Sequence, residues 1–165
     1  MSANDSPTVQ AARASLPCTA FKVRSLSRRI TQLYDDTIAP SGLRSTQFSL
    51  LAHARRPHGG TAPRVGELAD ALRMDRTTLT RNLRPLLAAG LIVLDHGPDA
   101  RSKAIRVTEA GEQAFRTARE RWRIAQQRIR MIGGLAEVQH LEGLIDTMLA
   151  RLDAHETQPD RGSRP

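Results

Sequence analysis

Apolar side chains fall at Val23, Leu26, Ile30, Leu33 and Ile38, with Arg24, Arg28 and Arg29 between them. Those steps put one greasy stripe on a helix over residues 18–39. Pro40-Ser41-Gly42 ends it, because the residue before proline leaves the helical region and glycine permits a turn. Ser45 is expected to cap a second helix over 46–56, with Phe48, Leu50, Leu51 and Ala54 inside. Pro57-His58-Gly59-Gly60 reads as a loop. Val65, Leu68, Ala69 and Leu72 give a short helix, and Arg73 to Arg76 break it. Asp75 caps a further helix that runs to Ala89, with Leu79, Leu83, Leu86 and Leu87 on its apolar face. Gly90 supplies the stop.

The period then changes. Leu91 to Leu94 is a short apolar run, Asp95 to Asp99 is turn-rich, and Ala104 to Thr108 alternates. Two short runs around a Gly-Pro turn predict a β-hairpin. Thr108 caps a long helix, with Glu109 and Glu112 at its positive end. Along that helix Phe115, Ala118, Trp122, Ala125, Ile129 and Ile132 step by three and four until Gly133-Gly134. A last helix, about 135–152, carries Leu141, Leu144, Ile145, Met148 and Leu152. Residues 1–15 and 153–165 have no apolar period and are expected to be a disordered arm and tail.

Composition narrows the class. The 165 residues carry 25 Lys+Arg against 17 Asp+Glu, a net charge of +8, and all but Lys22 and Lys103 of the cations are arginine. A basic excess points to an acidic polymer as partner. Aromatics are 3 % of the chain, too few for base-stacking platforms. The one cysteine, Cys18, excludes an intrachain disulfide framework and a cysteine-rich zinc site. No apolar run spans a bilayer and the start of the chain has no secretory pattern, so a soluble cytoplasmic protein without a membrane partner is expected. The Arg-rich, Ala-rich usage fits a GC-rich bacterial genome.

The order helix, turn, helix, hairpin is that of a winged helix-turn-helix, whose second helix enters the major groove. With Leu79, Leu83 and Leu86 facing the core, a step of about 100° per residue turns Thr77, Thr78, Arg81 and Arg84 outward. Arginine reaches guanine bidentately, and threonine offers a hydroxyl and a methyl. Arg64, Arg73 and Arg76 flank this face as phosphate contacts. Residues 55–106 hold ten cations and five anions, so +5 of the +8 lies in under a third of the chain. At the hairpin tip Arg101 is placed to enter a minor groove, with Asp99 close enough to hold it extended. Pro85 inside the helix predicts a kink or firm support from the core.

A series of motifs now lines up. Ser45-Thr-Gln-Phe-Ser-Leu-Leu, Val65-Gly-Glu-Leu-Ala-Asp-Ala-Leu, Met74-Asp-Arg-Thr-Thr-Leu-Thr-Arg-Asn-Leu, Ala89-Gly-Leu-Ile, Asp99-Ala-Arg and Val107-Thr-Glu-Ala-Gly follow one another in order and spacing. The series resembles the MarR family of bacterial transcriptional regulators over about residues 18–152. The resemblance implies a mainly α fold with a small β-hairpin wing. Its winged helix-turn-helix covers about 45–108, and its helical dimerisation region about 18–39 and 109–152. It further implies a homodimer bound to a palindromic operator, usually as a repressor. Release would come from a small phenolic or aromatic effector, or from oxidation. It puts base contacts on Thr77, Thr78 and Arg81 and the minor-groove contact on Arg101. The long apolar stripes support a dimer independently, since one small DNA-binding domain cannot cover them.

The remaining candidates are weaker. Cys18 lies at the start of the first helix near Lys22 and Arg24, a setting that favours a thiolate. The redox-sensing branch that it resembles also grips its cysteine with tyrosines, and here only Tyr34 exists, out of register. A cysteine-based sensor is therefore the alternative, and an inert cysteine the expectation. The family's effector pocket points to Arg29, Tyr34, Asp36 and His53. His53 and His58 lack further ligands at zinc spacing, so no metal and no cofactor is expected. No phosphate loop, nucleophile elbow or metal-hydrolase pair is present, so no enzyme is expected either. A winged-helix protein-interaction module is the other competing class, and the basic recognition face argues against it.

Overall fold

The structure, a computed structural model, describes residues 18–55, 62–96 and 103–157. Helix α1 is Thr19–Ile38, followed by a single 3-10 turn at Ala39–Ser41. Helices α2 (Ser45–Ala54), α3 (Val65–Ala71) and α4 (Arg76–Ala88) come next. Strands β1 (Ile92–His96) and β2 (Lys103–Val107) pair antiparallel, with Ile92 opposite Val107 and His96 opposite Lys103. Helices α5 (Glu109–Gly133) and α6 (Leu135–Thr157) complete the described chain. The fold is mainly α with a β-hairpin wing, as the sequence predicts.

The chain divides into two compact units, Met1–Trp122 and Arg123–Pro165. The core of the first is one cluster of side chains. Ile38, Leu50, Leu51, Leu68, Leu79, Leu83, Leu86, Ile92 and Ile105 are all buried within it. These are the apolar positions that the helical and strand periods select. Each fully buried aliphatic side chain contributes about 1.5–3 kcal/mol. The Phe48 and Phe115 rings stack at 5.1 Å, with Trp122 at 5.9 Å from Phe48, and join α2 to the first half of α5. The Arg55 guanidinium lies 4.1 Å above the Phe115 ring and pairs with Glu112 at 2.7 Å.

In the second unit Ala125 and Val138 are buried, while Ile124, Met131, Ile132, Leu135, Leu144, Ile145, Met148 and Leu152 are exposed. The corner between α5 and α6 needs its glycines. Gly134 has a φ of 81°, and a Cβ at Gly133 would stand 2.9 Å from Val138 Cγ2.

Three boundaries and one backbone contact differ from the sequence reading. Ser45 is the first residue of α2, which ends at Ala54, and Arg44 occupies the cap position. The Ser45 hydroxyl and backbone N–H both donate to Asp35 Oδ1, at 2.5 and 2.7 Å. A carboxylate ten residues upstream thus caps the helix, which local patterning does not reveal. Asp95 and His96 belong to β1 rather than to the turn, and the Asp95 carboxylate accepts from Arg106 Nε at 2.7 Å across the hairpin. The last helix continues to Thr157 instead of stopping at 152, because Asp153-Ala154-His155-Glu156 contains no helix breaker. Finally, Arg64 forms an antiparallel bridge with Ala104, and the Ile105 N–H donates to the Pro63 carbonyl at 2.8 Å. The approach to α3 is thereby tied to the wing. Pro63 cannot donate a backbone hydrogen bond but can accept one.

Candidate functional site

Helix α4 starts at a built cap. The Asp75 carboxylate accepts the Thr78 backbone N–H at 2.8 Å. Hydrogen bonding from the Thr78 side chain, then from its backbone, holds the Asp75 carboxyl below its ordinary range. Thr78 is half-buried and its hydroxyl serves the cap. Thr77, Arg81 and Arg84 are exposed at spacings of four and three, on the side opposite the buried Leu79, Leu83 and Leu86. The helix runs through Pro85 without a break, and the Ala89 N–H reaches the Pro85 carbonyl at 3.0 Å. The buried Leu83 and Leu86 support it on either side.

The neighbouring cations fall into two settings. Arg73 closes the turn between α3 and α4 with a φ of 50°, the one positive value at a non-glycine residue among the described residues. Its backbone N–H donates to Asp70 and that of Met74 to Ala69, so the turn is hydrogen-bonded shut. Arg64, Arg76 and Lys103 gather instead around a cavity of about 450 Å³, with Thr80, Glu67 and Asp70 in its wall. Sequence reading missed Thr80, Gly66 and Lys103 as members of this site. Lys103 reaches it only through the bridge between Arg64 and Ala104, a contact between distant segments. Asp99 and Arg101 lie outside the described residues, as does His58.

A second cavity, of about 410 Å³, opens between α1, α2 and the first half of α5. Tyr34 and His53 line it, together with Phe48, Phe115, Trp122 and Arg119. The His53 ring donates from Nδ1 to the Ser49 carbonyl at 2.8 Å. Arg29 and Asp36 do not line this cavity. Arg29 is exposed, and Asp36 accepts from Gln32 Nε2 at 2.7 Å on the outer face of α1. At about 100° per residue Arg29 and Asp36 stand on the side of α1 away from Tyr34, so the pocket that the family resemblance implies includes Tyr34 and His53 but not these two. Cys18 is exposed at the cap position of α1. Among the described residues no three potential metal ligands converge, and no helix is long and apolar enough to cross a membrane.

Fold and basic face together define a winged helix-turn-helix protein. Comparison with solved structures gives the family. The MosR transcriptional regulator of M. tuberculosis, solved in complex with DNA, is 33 % identical, with a TM-score of 0.73 over 83 % of this chain and 97 % of that one. A MarR-family regulator from a Rhodococcus species matches at 20 % identity and a TM-score of 0.65, over 79 % and 92 % of the two chains. A mutant MarR from E. coli, complexed with operator DNA, matches at 21 % and 0.70 over the same shares. No family model and no curated protein matches the chain. The chain belongs to the MarR family of transcriptional regulators.

Proposed function

We propose that the protein binds double-stranded DNA as a homodimer at a palindromic operator. It acts there as a repressor that a small aromatic or phenolic effector releases. The observation that carries this reading is the exposed set Thr77, Arg81 and Arg84 on one face of α4, flanked by Arg64, Arg73 and Arg76. Arginine and threonine at the mouth of a recognition helix match the donor and acceptor pattern of the major groove. MosR and MarR, to which the chain is similar, have been solved with DNA bound. The dimer reading rests on the exposed apolar residues of α1 (Phe21, Val23, Leu26) and of α6, which water alone would leave uncovered.

Arg81→Ala is expected to weaken specific binding by about 1–3 kcal/mol and to relax one operator position. Unchanged affinity and unchanged sequence preference would put the recognition surface elsewhere. The effector reading rests on the aromatic-walled cavity, which holds the chain's one tryptophan, Trp122. Titrating a small phenolic acid should change Trp122 fluorescence and release bound DNA over the same concentration range. Release without any change at Trp122 would place the effector outside this cavity.

A further inference from the structure

Helix α2 has two sides with different partners. Phe48, Ala52 and Arg55 follow one another at steps of four and three, so they share one side. Phe48 and Ala52 line the aromatic cavity, and Arg55 closes the helix just beyond it. Leu50 and Ala54 stand on the other side, buried in the core. The helix also packs against α3, against α4 and against β2. One short helix thus touches both the cavity and the element that carries Thr77, Arg81 and Arg84.

Arg55 fastens this helix to α5. Its Nε–H is shared by both carboxylate oxygens of Glu112, each at 2.7 Å, in the first turn of α5. The same guanidinium lies 4.1 Å above the Phe115 ring, and that ring stacks on Phe48 at 5.1 Å with the planes 2° apart. Phe115, a wall of the cavity, is therefore held by two side chains from α2 and its cap. Neither Arg55 nor Glu112 lines the cavity itself. Both side chains are 32 % exposed, so the pair is weak, as a contact that has to open and close must be.

We infer that Arg55 and Glu112 form a clasp that holds α2 against α5 in the setting that DNA favours, and that an effector in the cavity works against the clasp. The inference rests on the proposed release by an effector and names the pair that resists it. Effector and DNA oppose each other only if they favour different settings of an element they share. Helix α2 is such an element. A ligand lying between α2 and α5 gains by widening that seam, whereas the clasp closes it. Arg55 and Glu112 are positioning residues, which act on the ligand through Phe115.

Glu112→Gln tests the clasp, with Glu109→Gln as its control. Both remove one negative charge from the first turn of α5, and only the first touches Arg55. Duplex binding is measured directly, and binding of hydroxybenzoate isomers is followed by Trp122 fluorescence. Glu112→Gln should bind duplex about three-fold more weakly and hydroxybenzoate about three-fold more tightly, since linkage makes the two shifts reciprocal. Arg55→Met should move both affinities in the same directions, and Arg55→Lys should restore part of the change. Loss of a negative charge alone would tighten binding to DNA, so Glu109→Gln should bind duplex no more weakly than the parent. A fold merely loosened by Glu112→Gln would lose affinity for both ligands. That result, unchanged affinities, or equal behaviour of the two Gln variants would overturn the clasp and leave the effector reading in place. A parent whose Trp122 fluorescence and DNA binding ignore every hydroxybenzoate would overturn the effector reading and the clasp with it.

Discussion

Gly111 has no room for a side chain. A Cβ there would collide with the Leu91 carbonyl oxygen and stand 2.8 Å from Val107 Cγ1. The same carbonyl accepts the Thr108 N–H at 3.0 Å, and the Thr108 hydroxyl bridges the Gly90 carbonyl and the Gly111 N–H. Sequence showed Thr108 as a cap but gave no reason for Gly111, because the reason is a contact with a segment twenty residues away. Gly111→Ala should destabilise the protein by about 1–3 kcal/mol in urea unfolding, the usual cost of overpacking. A change within a few tenths would mean that the first turn of α5 shifts freely. Arg73 is the opposite case, a large residue in a conformation that favours glycine. Arg73→Gly should raise stability by about 0.5–1 kcal/mol, and it should weaken DNA binding. Equal or lower stability would mean that the contacts of the Arg73 side chain offset the backbone strain.

At the scale of elements, the helices that carry long apolar stripes were legible in the sequence, and their edges were less so. Asp75 was readable as a cap because it directly precedes the helix it serves. Asp35 was not, because it caps α2 from another helix. Asp95 reads as a turn residue from its neighbours, but the backbone ladder pairs it with Ala104 in the hairpin. The site divided along the same line. Thr77, Arg81 and Arg84 follow from one helix's period, whereas the cavity around Arg64, Arg76 and Lys103 needs tertiary contacts. The Asp75 cap has a pH signature. Its folded pKa is depressed, so its contribution is complete above the unfolded value of about 3.9 and is lost as pH falls through the folded one. Asp75→Asn keeps an acceptor without the charge and should show a flatter loss of stability below about pH 4. Parallel acid profiles for parent and variant would mean that the charge on the cap is silent.

For the whole molecule, the exposed apolar residues of α6 and the basic face of α4 have separate consequences. Leu144→Glu should leave monomers or unfolded chains in sedimentation, since Leu144 is half exposed on an apolar stripe. The proposed two-fold dimer would present two copies of α4, and B-DNA returns its major groove to one face about every 10 base pairs, or 34 Å. Binding to an inverted repeat with half-sites one turn apart, compared with the same site carrying about five extra base pairs between its halves, tests this account most directly. The insertion turns the halves to opposite faces and is expected to remove most of the specificity at moderate salt. Equal binding to both sites would contradict the account, because each protomer would then be reading DNA alone.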